Sequence, residues 1–233
     1  VIDMSSGKEL YGYSQNAVRY PASLTKMMTL YLVFEALQSG QIDKTTMIPV
    51  SANAAGQAPS KIGLKPGQTI DVDTAIRAIT VKSANDIAVA FAEYLAGSEE
   101  AFAARMTAKA RAIGMGRTTF RNASGLHDPA QVTTAEDMAR LGLSLRRKFP
   151  QHFSYFSLKQ FTVAGRTVTG HNKALDMIAG ANGIKTGYTK ASGFNLVTSV
   201  RRGPRHIVAV VLGGMSAGQR DARMRELIAA RIV

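Results

Sequence analysis

Pro21-Ala22-Ser23-Leu24-Thr25-Lys26 runs straight into Met27-Met28-Thr29-Leu30-Tyr31-Leu32-Val33-Phe34. Proline, a small residue and a serine ahead of an apolar run read as a helix start, so the pattern predicts a helix over about 23–37, with Ser23 in its first turn and Ser39-Gly40 as its stop. Residues three apart share a helix face, which sets the Lys26 amine beside the Ser23 hydroxyl. A serine hydroxyl is a weak nucleophile until a base takes its proton, and lysine acts as that base only when neutral. Burial and a second cation both lower a lysine pKa. Serine three residues before lysine also occurs at solvated helix starts, so the reading turns on what the rest of the chain brings to this pair.

The 233 residues are 45% hydrophobic and 19% charged, the balance of a folded globular chain. No run approaches the roughly 18 uninterrupted apolar residues of a membrane span. Val1-Ile2-Asp3-Met4 reads as a strand of the fold rather than a leader. The absence of cysteine excludes a disulfide framework, a thiol nucleophile and a thiolate zinc site. Nothing in the pattern calls for a metal or a cofactor. A formal net charge of +13 favours an acidic partner or substrate, but the arginines are scattered and no nucleic-acid motif accompanies them, so no nucleic-acid partner is expected.

Outward from the serine, residues 1–13 read as a hairpin turning at Ser5-Ser6-Gly7, with Leu10, Tyr11 and Tyr13 on the return strand. Residues 41–70 are turn-rich, with only short strands. Two helices carry the stripes Ala75, Ile76, Ile79 and Ile87, Ala88, Phe91, Leu95, with Val81-Lys82-Ser83-Ala84-Asn85-Asp86 at their junction. A third helix spans 98–113, and a fourth spans 134–147 with Thr133 or Thr134 as its cap. From Phe161 the pattern turns to strands, with hairpins about Gly165-Arg166 and Arg201-Arg202-Gly203-Pro204-Arg205, and the chain ends in an amphipathic helix over 217–232.

Terminal hairpins flanking a helical middle most simply share one antiparallel sheet. The expected fold is α+β, with that sheet covered by the first and last helices. A sheet lobe of about 1–45 and 155–233 would face a mainly helical lobe of about 46–154, with a site in the cleft between them.

The second lysine stands in Gly183-Ile184-Lys185-Thr186-Gly187-Tyr188. Strand alternation puts Lys185 and Thr186 on opposite faces, and Gly187 leaves room for a close approach. The order Lys-Thr-Gly, with no glycine four residues ahead of a Gly-Lys-Thr, is not that of a phosphate loop. Ser83 and Asn85 supply a hydroxyl and an amide able to bridge two lysines.

Ser23-Leu24-Thr25-Lys26, Ser83-Ala84-Asn85 and Lys185-Thr186-Gly187 resemble, in order and spacing, the motif set of the serine penicillin-recognising enzymes. The closer resemblance, over essentially all 233 residues, is to the low-molecular-mass D-alanyl-D-alanine carboxypeptidases related to penicillin-binding proteins 5 and 6. It is carried also by Ser83-Ala84-Asn85-Asp86, by Asn182-Gly183-Ile184-Lys185-Thr186-Gly187 and by Asn122-Ala123-Ser124-Gly125-Leu126. The resemblance implies a β-lactamase/transpeptidase-like domain over 1–233, exported to the periplasmic or extracytoplasmic side, that removes the terminal D-alanine from peptidoglycan stem peptides and is acylated by β-lactams.

The roles it implies are Ser23 as nucleophile, Lys26 as base, Ser83 as proton relay, Asn85 as holder of Lys26 and of the substrate amide, and Lys185 as a source of positive potential. Thr186 would read the terminal carboxylate beside Gly187, and the backbone N–H groups of Ser23 and Tyr188 would form the oxyanion hole. A further carboxy-terminal β-rich domain and an amphipathic anchor, common in such proteins, are not encoded, so membrane association would come through segments outside this sequence. His171 and His127 read as solvent-facing polar side chains, Asn122 as a turn former, and Arg220 and Asp221 as a helix cap and a charge on the surface.

Two alternatives fit the same motifs. A class A-like β-lactamase needs a deacylating glutamate, and the one glutamate in 114–182 is Glu136, inside a predicted helix. A non-catalytic penicillin-sensing or anionic wall-polymer-binding domain would keep the fold without turnover.

Overall fold

The computed structural model describes residues 1–232. Strand β1 (Ile2–Asp3) is followed by a 3-10 turn (Ala22–Leu24), helix α1 (Thr25–Gln38), β2 (Met47–Pro49), α2 (Ala52–Ala55) and β3 (Thr69–Asp71). Helices α3 (Val72–Arg77), α4 (Asn85–Ala96), α5 (Glu99–Ala112) and α6 (Ala135–Lys148) come next, a π-helical turn (Ala78–Lys82) closing α3. After a 3-10 turn at Phe153–Ser157 the chain forms β4 (Gln160–Val163), β5 (Arg166–Thr169), α7 (Ala174–Met177), β6 (Ala181–Thr189), β7 (Gly193–Arg202), β8 (Arg205–Gly214) and α8 (Ala217–Ala229). No helix among the described residues is long and apolar enough to cross a membrane.

The main sheet is antiparallel in the order β1-β8-β7-β6, so the two ends of the chain do share one sheet. Alternating apolar residues on β7 and β8 face helices on both sides: α8 lies on one face and α6 on the other. Helices α2, α3, α5, α6 and α8 start at Ser51, Asp71, Ser98, Thr134 and Ser216, each of whose side chains takes a first-turn backbone N–H.

The first helix meets the sheet at its entry, where the 3-10 turn abuts β6 and β7, while its body packs on α4, α5 and α6. Ten of its fourteen residues are buried, so it runs through the helical lobe instead of covering the sheet along its length. Each of its large apolar side chains contributes about 1.5–3 kcal/mol by leaving water. The aromatic rings of Phe34, Phe149 and Phe156 meet edge-on or tilted behind it, tying the Phe153–Ser157 turn to the same core.

The expected amino-terminal hairpin forms only in part. Asp3 accepts the Ser5 and Ser6 N–H groups, closing the turn, and its own N–H donates to Lys8 O at 2.9 Å, but the return segment forms only one bridge to β1, Ile2 to Glu9, and no strand. Beyond it Tyr13 is exposed, with no neighbouring strand to pair. The apolar alternation of Leu10, Tyr11 and Tyr13 therefore lies on a surface loop.

Candidate active site

Two constraints fix Ser23. Asn195 on β7 donates its amide to Tyr20 O at 2.9 Å and Pro21 O at 3.1 Å and accepts the Gly213 N–H at 2.9 Å, tying the entry of the 3-10 turn to β7 and β8. Strand β6 presses on the same turn: a Cβ on Gly187 would lie 3.0 Å from Ser23 N and 3.1 Å from Leu24 N. The register pairs Lys185 with Val197 and Gly187 with Asn195, so both contacts fall at one level of the sheet.

Lys26, one turn on, is fully buried. Its Nζ lies 3.1 Å from Ser23 Oγ, 2.6 Å from Asn85 Oδ1 and 2.5 Å from Ser124 O. Two of those neighbours are carbonyl oxygens and can only accept. A neutral amine has two N–H donors and one lone pair, so the two carbonyls use the donors and the lone pair is left for the Ser23 O–H. Burial, followed by the charge of Lys185, holds the Lys26 pKa well below the ordinary lysine range, with Asp86 opposing.

The amide of Asn85 is oriented by its other end, since Nδ2 donates to Ala58 O at 2.9 Å and its backbone N–H donates to Ser60 O at 2.7 Å. That loop is in turn held by Asp86, whose carboxylate accepts the Ile62 and Gly63 N–H groups. The π turn before it leaves Ser83 in the left-handed region, φ 61°. Its hydroxyl is buried without a hydrogen-bond partner. The structure thus brings Ser23, Lys26 and Asn85 into direct contact, while Ser83 stands beside them uncommitted.

Lys185 points inward and Thr186 into the cleft, as strand alternation requires. The Lys185 Nζ donates to Thr186 O at 2.9 Å, and burial, then the Arg220 charge, lowers its pKa to about 7. Arg220 and Asp221, read from sequence as a cap and a surface charge, are both buried and paired at 2.8 Å; Ser216 takes the capping role. The cause is α8 packing down on β7 and β8, which carries the guanidinium to the cleft wall.

The cleft holds about 510 Å³ and is lined by Ser23, Ser83, Asn85, Thr186, Tyr188 and Arg220, among others. A larger depression of about 750 Å³ lies between α1 and α5, but its carboxylate Glu35 is engaged by Lys109 and Lys148 and its hydroxyl Ser39 donates to Ala36 O. Glu136 is on α6, ion-paired to Arg140 at 2.5 Å and outside the cleft, so the β-lactamase alternative lacks its glutamate at the site. Asn122 is the turn former expected, its Oδ1 accepting the Gly125 N–H at 2.8 Å. His127 packs edge-on against Tyr20, whereas His171 lines the cleft. Asn195, Arg220 and the Ser124 carbonyl were missed by sequence reasoning; the Asn122–Leu126 segment was noticed, but nothing in it says that its backbone reaches Lys26.

A serine and two buried lysines, set where an antiparallel sheet meets a helical lobe, define the transpeptidase-like class of fold. The chain belongs to the D-alanyl-D-alanine carboxypeptidase family, whose profile matches residues 1–216. D-alanyl-D-alanine carboxypeptidase DacA of Escherichia coli K12 is 35% identical over 235 aligned residues, which cover 98% of this chain and 58% of that protein. The chain thus spans about three-fifths of the length of such curated relatives. Penicillin-binding protein 5 of Haemophilus influenzae superposes with a TM-score of 0.94 at 32% identity, covering 98% of this chain and 68% of that one. Penicillin-binding protein D2 of Listeria monocytogenes, solved in a cefotaxime-bound form, gives 0.87 at 27% identity over 99% of this chain and 95% of that one.

Proposed function

We propose that this chain is a serine-type D-Ala-D-Ala carboxypeptidase acting through an acyl-enzyme on Ser23, that residues 1–233 form one catalytic unit, and that it works on the extracytoplasmic side, where peptidoglycan lies. One observation carries the reading: the Nζ of a fully buried Lys26 has Ser23 Oγ, 3.1 Å away, as its one hydroxyl partner among the described residues.

Ser23 Oγ adds to the carbonyl carbon between the two terminal D-alanines as its proton passes to Lys26 Nζ. The oxyanion sits between the Ser23 and Tyr188 backbone N–H groups, each donor worth about 3–4 kcal/mol. Ser83 gives its proton to the leaving nitrogen and is reprotonated from Lys26, so D-alanine departs as the amine and Lys26 returns neutral. Water then adds to the ester with Lys26 again taking the proton, and Ser23 is regenerated. Thr186, Lys185 and Arg220 hold the terminal carboxylate, and Asn85 positions the substrate amide. A β-lactam follows the same first step, but its leaving nitrogen stays tethered.

The test is intact mass after incubation with penicillin, alongside D-alanine release from an acylated D-Ala-D-Ala peptide. Wild type is expected to gain one adduct and to release D-alanine, and Ser23→Ala to do neither. Wild type without adduct or release would sink the reading and leave a binding domain of the same fold.

A further inference from the structure

Past Ser83 the cleft continues into a recess of about 70 Å³. Ser83, Gly170, His171, Lys173 and Thr186 line both spaces, so the recess opens off the cleft beside Ser83. Its wall has polar groups without partners: both Oδ1 and Nδ2 of Asn172 are buried and unbonded, as is Ser83 Oγ. Leaving such groups unpaired costs about 1–3 kcal/mol each, which a ligand or water would recover.

The charges at this end are one-sided. No carboxylate lines the cleft, and neither Lys82 nor Lys173, both on its wall, makes an ion pair among the described residues. The recess has one acidic side chain, Asp176, which Lys159 engages at 2.6 Å. The His171 pKa is held below the ordinary histidine range by burial, then by the charges of Lys82 and Lys185. A leaving D-alanine has one carboxylate, for which Thr186, Lys185 and Arg220 suffice. On the recess wall Lys173 and Asn172 are then surplus.

We infer that this recess is a second anion subsite, receiving the side chain of a carboxy-terminal D-residue that itself carries a carboxylate. The Asn172 Nδ2–H donates to that carboxylate, and Lys173, which lines cleft and recess alike, supplies the opposing charge. The inference rests on the carboxypeptidase reading and names a substrate class within it.

The experiment compares release of D-alanine, D-glutamine and D-glutamate from acylated peptides ending in D-Ala-D-Ala, D-Ala-D-Gln and D-Ala-D-Glu, with penicillin labelling of Ser23 in parallel. Wild type is expected to favour D-Glu over the isosteric D-Gln by roughly tenfold in kcat/KM, the scale of one charge-assisted hydrogen bond in a partly open site. Lys173→Gln and Asn172→Ala should bring that ratio to within about twofold, while D-alanine release and labelling stay at wild-type rates. Lys173 is exposed, so its variant tests the idea without endangering the fold. Equal rates for D-Glu and D-Gln in wild type, or a preference that survives both substitutions, would overturn the inference while the carboxypeptidase reading stands. Neither label nor release from any peptide would overturn both.

Discussion

At Gly125 a Cβ would fall 1.9 Å from Ala22 O and 2.9 Å from Ser23 N, at a φ of +88° that an L side chain rarely adopts. Gly125→Ala should therefore push the nucleophile off its base, lowering the penicillin acylation rate at least tenfold and costing about 2–3 kcal/mol in urea unfolding. Retention of wild-type acylation would mean that the turn yields elsewhere. Sequence offered the glycine as part of a familiar loop, but its reason is contact with a backbone about a hundred positions away, which no local pattern encodes. The two lysines set the pH dependence. Lys26 acts when neutral, so kcat/KM falls as pH drops through its depressed pKa. Lys185 acts when charged, so in the free enzyme kcat/KM falls again as pH rises through about 7. Arg220→Gln removes a cause of that depression, and the alkaline limb of the pH profile should move upward even as the rate declines. An unmoved limb would assign it to another group. The pairing of Ser23 with Lys26 was legible from spacing alone; that Lys26 is fully buried, with its pKa held well below the ordinary lysine range, was not.

Among the elements, α8 shows what amphipathic patterning hides. Met224, Leu227 and Ile228 announce its inward face, but the same face carries Arg220 and Asp221 into the interior. Asp221→Ala would strand a buried guanidinium and is expected to cost about 3–5 kcal/mol, against about 1 kcal/mol for loss of the cap in Ser216→Ala. Denaturant melts of the two variants check the order, and equal losses would mean that the pair is hydrated. Strands β7 and β8 were readable because alternation and a Gly-Pro turn fixed them together. Helix α1 was readable as a helix but not in its place: it is buried nearly all round, so it has no stripe to say which neighbour it faces.

On the scale of the whole molecule, two depressed lysines make folding itself depend on pH. Both have folded pKa values below the ordinary 10.5, so between about 7 and 10.5 the unfolded chain binds more protons and stability rises with pH. From pH 7 to 9 the gain should be on the order of 1–3 kcal/mol, and Lys26→Met should flatten the slope; parallel slopes for the two proteins would assign it to surface charge instead. The architecture was legible in outline because terminal strand patterns bracket a helical middle, whereas the packing of α6 against β7 and β8 was not, since its apolar stripe does not name its partner. In the main sheet strand β1 pairs with β8, Ile2 opposite Val208 and Asp3 opposite Ile207. Within these residues β1 thus waits for a strand some two hundred positions further on, and the four-stranded sheet that carries Lys185 is complete only when β8 is in place. A chain cut before β8 keeps the β6–β7 pair but leaves β1 without its neighbour in the main sheet, so the sheet is split rather than trimmed at an edge.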